Sequence, residues 1–280
     1  MEGTRKSRLK DIVNWAAKES EEKGLLHDNT YWIYGLPGIG KTSLAHSICA
    51  SLHDQRQLAG AFFCRRDDPN LSEPTNIIPT LMYKLAENFP PFRKIMANDL
   101  RSDPNLTPES MKDSLFRDLL DNLPYGPNNS LVFVIDAFDE CGDNRSRPAL
   151  LRLLTGVSAS ASWLKIIITS RPEADIQRVF DGLIRSSYLK YDLAKDQDAS
   201  HDLRTFAQSE FGLVAQEWEF SPPWPEETLL DKLISRADGL FIFIKTLALA
   251  LRRCRDPTSI LAAASEEVGD TVENTIMHIL

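Results

Sequence analysis

The sequence has 280 residues, of which 42% are hydrophobic and 26% are charged, and its formal net charge is -8. This length and hydrophobicity predict one large or two small folded domains and exclude a disordered chain. The acidic balance argues against nucleic acid as a general partner, and the absence of a signal peptide or of a bilayer-length apolar run predicts a cytoplasmic protein without a membrane partner.

An amphipathic helix is predicted over residues 5–23, because Leu9, Ile12 and Val13 recur at helical spacing among charged residues. Two basic clusters, one in this segment and one near the end of the chain, are interpreted as solvated helix faces. They consist of Arg5, Lys6, Arg8 and Lys10, and of Arg252, Arg253 and Arg255. Residues 1–28 are therefore assigned to an N-terminal helix and linker.

A strand, a glycine-rich loop and a helix follow in that order. The strand Tyr31–Tyr34 leads into a loop that fits the pattern G-x-x-x-x-G-K-[ST]. Glycines let backbone N–H groups close around a phosphate, Lys41 adds a positive charge for the β- and γ-phosphates, and Thr42 offers its hydroxyl to Mg²⁺. The predicted nucleotide-binding residues are Gly35, Leu36, Pro37, Gly38, Ile39, Gly40, Lys41, Thr42 and Ser43.

The region between the two motifs contains one strand, two helices and two loops in the prediction. Pro90 and Pro91 are expected to end the first of these helices. The predicted segments are a strand over Ala59–Cys64, a loop over 65–75, a helix over Ile77–Asn88, a loop over 98–108 and a helix over Pro108–Asn122.

A second motif begins where five consecutive apolar residues, Leu131–Ile135, end at Asp136. Continuous apolarity is typical of a central parallel strand, and open α/β sheets bind ligands at the carboxyl ends of such strands. Asp136 is therefore expected to hold Mg²⁺ together with Thr42. Glu140 or Asp139 would orient or deprotonate the attacking water, although the same acids could form only a solvated turn.

Arg171 directly follows a fourth predicted strand, Leu164–Thr169. A guanidinium at that position can reach a terminal phosphate and is counted among the catalytic residues, with a salt bridge to the Asp139/Glu140 turn as the alternative. A helix over 173–181 and a fifth strand over Tyr188–Leu193 complete an alternation of strands and helices. This alternation predicts an α/β core with a five-stranded parallel sheet flanked by helices over residues 29–195.

Only helices are predicted after residue 195, so residues 196–280 are assigned to an all-helical lid domain. Its helices are Asp196–Phe211, Glu226–Ala237, Gly239–Arg253 and Pro257–Glu267. The four cysteines are far apart in the sequence and show no zinc spacing, which predicts reduced thiols.

Four segments, GLPGIGKTS, LVFVIDAFDECGD, KIIITSRPEADI and ADGLFIFIKTLALAL, together resemble a NACHT domain of the STAND P-loop NTPases, of the fungal incompatibility and nephrocystin-like type. The resemblance implies the strand order 5-1-4-3-2, a Walker B motif from Asp136 to Glu140, and lid helices that cover adenine. It implies ATP, ADP and Mg²⁺ as cofactors. It also implies a signalling switch in which ADP holds a monomer, ATP favours self-association and slow ATP hydrolysis resets the state.

Family members also carry an effector domain, a winged helix and ligand-sensing repeats. Glu273–Leu280 resembles the start of that winged helix, so the chain is expected to be either a fragment or a stand-alone core, with a protein effector of unknown identity. Three other functions stay open. They are a P-loop kinase of a small acceptor, a GTPase, which the lack of N-K-x-D disfavours, and an interaction module without turnover that docks through Trp15, Trp218 and Trp224.

Overall fold

The computed structural model describes residues 5–18, 28–102, 130–161, 163–183, 188–196 and 198–265. The chain divides by its own contacts into two compact units. An α/β unit takes in the described residues of 7–35 and 41–192, and a helical unit takes in those of 1–6, 36–40 and 193–280. The domain boundaries expected from the sequence stay a prediction.

The α/β unit is built on a five-stranded sheet in the order β2-β3-β4-β1-β5, in which every neighbouring pair of strands is parallel. This order confirms the prediction. The strands are β1 (Thr30–Tyr34), β2 (Leu58–Phe63), β3 (Leu131–Asp136), β4 (Leu164–Ser170) and β5 (Tyr188–Asp192). Every residue of β3 and β4 is buried, as their continuous apolarity predicts.

Seven helices belong to the described part of this unit, and the first of them begins one residue earlier, in the helical unit. They are α1 (Lys6–Ala17), α2 (Lys41–Asp54), α3 (Pro69–Ser72), α4 (Ile77–Asn88), α5 (Pro90–Ser102), α6 (Ser146–Ser160) and α7 (Ala174–Asp181). The predicted extension of α1 to residue 23 lies largely outside the described residues, which stop at residue 18 there. The predicted helix Pro108–Asn122 lies wholly outside them.

The predicted loop over 98–108 is wrong for residues 98–102, the part of it that the structure describes, because these residues belong to α5. The two prolines do end α4, but α5 starts at Pro90 and continues to Ser102. Proline is favoured in the first turn of a helix, where its missing N–H has no intrahelical partner and its φ is already helical. Phe92 is fully buried in the main core and so anchors the new helix.

The apolar face of α1 belongs to the α/β unit rather than to a docking surface. Trp15 is only 7% exposed, and its ring meets the Tyr31 ring edge-on with centroids 5.3 Å apart. Its Nε1 donates to the Asp28 carbonyl at 3.0 Å. Docking through Trp15 is thereby ruled out as long as α1 stays packed.

The helical unit contains four helices among its described residues, packed around a core of their own. They are α8 (Ala199–Glu217), α9 (Glu227–Ala237), α10 (Phe241–Arg253) and α11 (Pro257–Ser265). Trp218 and Trp224 are half-buried and pack against this core, so both serve packing. No helix among the described residues has the length and apolarity that crossing a bilayer requires. The predicted helix over Glu273–Leu280 lies outside the described residues.

Candidate functional site

The glycine-rich loop connects the end of β1 to the start of α2, as its motif predicts. Gly35 donates its N–H to the Ser170 carbonyl of the neighbouring strand at 3.3 Å. Gly38 and Gly40 have φ values of +77° and +93°, in the left-handed region that L side chains rarely adopt. The two glycines are therefore required by the backbone path of the loop.

The tip of the loop, residues 36–40, groups with the helical unit. Leu36 and Pro37 are exposed, and Ile39 is buried. The Gly38 carbonyl accepts a hydrogen bond from Ile242 N at 3.2 Å, and a Cβ at Gly38 would lie 2.2 Å from Ile242 Cγ2. The Ile242 side chain on α10 thus lies so close to Gly38 that a side chain at position 38 would collide with it.

Lys41 is the first residue of α2 and is only 9% exposed. Its Nζ donates to the Gly35 carbonyl at 2.8 Å. Burial lowers the pKa of this lysine, while the nearby carboxylates of Asp139, Asp136 and Glu140 oppose the shift. The structure therefore brings the lysine of the first motif to the acids of the second.

Asp136, at the end of β3, is 2% exposed. Its Oδ1 accepts a hydrogen bond from Thr169 Oγ1 at 2.5 Å, and the Thr42 hydroxyl is also hydrogen-bonded to its carboxylate. Burial raises the pKa of Asp136, and the two hydroxyls oppose that shift by stabilising the charged form. Thr169, to which the sequence analysis assigns no role in the site, also accepts a hydrogen bond from Ala137 N at 3.0 Å.

The residues around Asp136 fit Mg²⁺. One carboxylate next to one hydroxyl, Thr42, is a hard-oxygen donor pair, and Mg²⁺ prefers few carboxylates and completes its shell with water and phosphate oxygens. Among the described residues there is no group of three or more histidines, cysteines or acids that could hold a metal by itself.

Arg171 lies where the sequence places it, after β4, and forms the salt bridge that was the alternative interpretation. Its Nε is 3.2 Å from Asp139 Oδ2, and its backbone N–H donates to Asp139 Oδ1 at 2.9 Å. The Asp139 side chain is 2% exposed, whereas the Arg171 side chain is 37% exposed. Contact between Arg171 and a phosphate stays a prediction.

Two further residues, which sequence reasoning missed, hold the acidic turn. Arg147 on α6 donates through Nη1 to the Asp139 carbonyl and through Nε to Asp175 Oδ2 on α7 at 3.0 Å. Both side chains of the Arg147–Asp175 pair are largely buried. Asp175 lies in one of the four segments that carry the family resemblance and Arg147 lies in none, and neither position in the sequence indicates this contact.

Glu140 faces different surroundings from Asp139. Its Oε2 accepts a hydrogen bond from the exposed backbone N–H of Arg66 at 3.2 Å, and the residue is half-buried. The turn begins at Ala137, whose φ of +52° redirects the chain after β3. Glu140 is thus the acid of the second motif that keeps its carboxylate near solvent.

Comparison with known proteins gives a family and a curated relative. A family model described as Nephrocystin 3, N-terminal matches residues 8–171. Vegetative incompatibility protein HET-E-1 of Podospora anserina is 24% identical over 263 residues, which cover 90% of this chain and 19% of that protein. The chain therefore spans about a fifth of the length of this curated relative.

Solved structures share the fold. A Walker-type ATPase of Pyrococcus abyssi has a TM-score of 0.54 at 17% identity, with 98% of this chain and 73% of that chain covered. Cdc6p of Pyrobaculum aerophilum has a TM-score of 0.53 at 13% identity, with 90% and 62% covered. At these identities the likeness shows the fold, a five-stranded parallel P-loop sheet of AAA+ type followed by a helical region.

Proposed function

The chain belongs to the Nephrocystin 3, N-terminal family, and from this membership we propose that it is an adenine-nucleotide switch that binds ATP or ADP with Mg²⁺ and hydrolyses ATP slowly. It is a P-loop NTPase related to the fungal incompatibility protein HET-E-1, and the P-loop NTPase fold implies nucleotide binding. Adenine specificity, hydrolysis and switching are the proposed steps.

The observation that carries the proposal is the meeting of the two motifs in the α/β unit. Lys41 lies among the carboxylates that follow β3, and Thr42 is hydrogen-bonded to Asp136. We assign Lys41 to the β- and γ-phosphates, and the backbone of residues 35–43 to the phosphate cradle. A bound Mg²⁺ would be held by Thr42 and Asp136 and would neutralise developing charge on the phosphate oxygens.

Glu140 is the proposed base that orients the attacking water, because its carboxylate stays near solvent while that of Asp139 is buried against Arg171. Arg171 forms its salt bridge to Asp139 through Nε. We therefore propose that its two terminal guanidinium nitrogens contact the terminal phosphate. Asp139 then acts by orienting Arg171 rather than by taking a proton.

The role in signalling is proposed from the relative. HET-E-1 is by name a vegetative incompatibility protein, and the chain spans about a fifth of it. We propose a core over residues 29–195 with a helical lid over 196–280, preceded by a helix and linker over 1–28. We propose that the ATP-bound protein self-associates and that the assembly then acts on a protein effector.

Nucleotide content tests this function. We would denature the purified protein and a Lys41→Ala variant, identify released nucleotide by chromatography, and titrate both with labelled ATP and ADP in Mg²⁺. Adenine nucleotide is expected on the native protein, with affinity at least about tenfold weaker in the variant, because a charge-assisted phosphate contact is lost. Glu140→Gln is expected to bind ATP normally and to hydrolyse it more slowly.

Two outcomes would overturn the proposal. One is a native protein that neither carries nor binds adenine nucleotide in the presence of Mg²⁺. The other is tighter binding of GTP than of ATP. Transfer of phosphate to an added small acceptor faster than to water would favour a kinase instead.

A further inference from the structure

Arg5 is the residue whose position departs most from its sequence interpretation. The sequence pattern assigns it, with Lys6, Arg8 and Lys10, to a solvated basic face, but it is 3% exposed. It immediately precedes α1 and has a φ of +54°, which is uncommon for a residue with a side chain. The solvated-face interpretation is wrong for Arg5, and a buried arginine in such a conformation requires an explanation.

The contacts of Arg5 lie within the helical unit, which includes the tip of the glycine-rich loop. Its Nη2 donates to the Ile39 carbonyl at 2.6 Å, and its backbone N–H donates to Asp202 Oδ2 on α8 at 2.8 Å. Its guanidinium carbon lies 5.4 Å from the centroid of the Phe241 ring at the start of α10. Arg5 thus connects the loop tip to α10 through its side chain and to α8 through its backbone N–H.

The backbone bond to Asp202 fixes where the Arg5 side chain begins. Asp202 is 5% exposed, and burial raises the pKa of its carboxyl group, while the hydrogen bond and the charge of Arg5 oppose the shift. Because Arg5 is anchored at its main chain and its guanidinium packs near Phe241, few side-chain positions remain available. The Arg5 side chain is therefore held in the position from which its guanidinium group contacts the loop.

The bond to the Ile39 carbonyl determines the orientation of one peptide group. In a planar trans peptide the C=O and the following N–H point in opposite directions. Holding the Ile39 oxygen toward Arg5 therefore turns the Gly40 N–H away from Arg5. The preceding N–H, that of Ile39, is directed to the Leu36 carbonyl within the loop at 3.4 Å, so the Arg5 bond controls the next amide along the chain.

We propose that Arg5 is a positioning residue of the phosphate cradle, in which its bond to the Ile39 carbonyl holds the Gly40 N–H in the direction that a phosphate needs. The proposal rests on the proposed function, because it assumes that the loop receives a phosphate. It assigns Arg5 no contact with the nucleotide base. The Ile242–Gly38 bond holds the neighbouring carbonyl in the same way, from the first turn of α10.

Inorganic tripolyphosphate, which has no base, is the probe for this role. We would measure its affinity and that of adenosine for the wild type, Arg5→Met, Arg5→Lys and Lys6→Met, the last a matched control at an exposed neighbouring position. Arg5→Met is expected to weaken tripolyphosphate about tenfold or more and to leave adenosine unchanged. Arg5→Lys keeps the positive charge but lacks the planar guanidinium group. Its affinity for tripolyphosphate should therefore lie between those of Arg5→Met and the wild type.

Unchanged tripolyphosphate affinity in Arg5→Met would overturn the proposal, as would equal losses for tripolyphosphate and adenosine. A loss for adenosine alone would assign Arg5 to the base instead. Thermal melting shows whether each variant folds. If Arg5→Met does not fold, the tripolyphosphate and adenosine affinities of Arg5→Lys test the proposal instead.

Hydrogen exchange of the nucleotide-free protein gives a second, independent test. Arg5→Met should speed exchange of the amides of residues 38–41 relative to Lys6→Met, while the amides of β3 keep wild-type rates. Equal rates at 38–41 in the two variants would overturn the proposal. Should the wild type bind neither tripolyphosphate nor adenine nucleotide, the proposed function fails, and this measurement still decides whether Arg5 positions the loop.

Discussion

Asp139 and Glu140 are neighbours in the sequence, yet their carboxylates have different surroundings. Asp139 accepts one hydrogen bond from the Arg171 backbone N–H, forms a salt bridge with the Arg171 side chain, and is almost fully buried. Glu140 accepts one bond, from Arg66 N, at a position near solvent. The sequence shows two candidate acids, and the structure separates one suited to holding a cation from one suited to meeting water.

This difference predicts unequal effects on stability. Asp139→Asn removes the charge that faces Arg171 and is expected to lower the free energy of unfolding by about 1–3 kcal/mol. Glu140→Gln is expected to change it by less than about 0.5 kcal/mol, because a half-exposed side chain loses little. Urea denaturation of the two variants measures both values. Equal destabilisation would contradict the division of roles between the acids.

The helix α1 is held at its C-terminal end by a lysine from the sheet. Lys165, on β4, is 3% exposed. Its Nζ donates to the carbonyls of Trp15 at 2.7 Å and of Lys18 at 2.5 Å, and it lies 5.0 Å from the centroid of the Trp15 ring. The last carbonyls of a helix have no intrahelical partners, so a cation there both satisfies them and complements the helix dipole.

Lys165→Met is expected to loosen α1 and to change how stability depends on pH. Burial lowers the pKa of Lys165 from 10.5 to about 8, with Asp28 opposing the shift and Lys18 adding to it. Between these two values the unfolded chain holds a proton that the folded protein has released. The wild type should therefore gain stability relative to the variant as pH rises through this window, by at most about 1.4 kcal/mol per pH unit.

Unfolding measured at several pH values between 7 and 10, for the wild type and Lys165→Met, checks this slope. Lys84→Met is a suitable control, since Lys84 lies at the surface, where its Nζ is 2.8 Å from Glu87 Oε2. A wild-type curve parallel to that of Lys165→Met would show that Lys165 keeps its ordinary pKa. Limited proteolysis within α1 should be faster in Lys165→Met than in the control.

At the scale of the whole molecule, the loop that carries the first motif joins both units of the chain. Its ends, Gly35 and Lys41, group with the α/β unit, and its tip, residues 36–40, groups with the helical unit. The proposal that belongs to this scale is that the nucleotide bound by the loop controls self-association.

Molar mass measured by light scattering tests that proposal. The Glu140→Gln variant, which should retain ATP, is expected to show a larger mass with ATP and Mg²⁺ than with ADP and Mg²⁺. Lys41→Ala should show one mass in both conditions at nucleotide concentrations that saturate Glu140→Gln but not this variant, whose affinity is expected to be weaker. A single mass for Glu140→Gln in ATP and ADP, with both nucleotides shown to be bound, would contradict nucleotide-controlled self-association.

The sequence by itself determined the parallel sheet, its strand order through the family resemblance, and the two motifs that meet near Asp136. Short stretches of sequence are enough to predict these features, because continuous apolar runs specify buried strands and glycine spacing specifies the loop. The sequence failed at residues 98–102, which belong to the helix that begins at Pro90, because a proline that ends one helix can also start the next.

Only the tertiary structure decided which partners the charged side chains take. Arg5 lies far along the chain from Asp202, as does Lys165 from Trp15, and Arg147 reaches Asp139 only because a turn and a helix pack together. A charged residue at a helix end looks the same in sequence whether it faces water or a buried carbonyl. Its environment is set by residues distant in the chain. Once the charged group is buried, it must form hydrogen bonds, and these bonds fix the position of its partner.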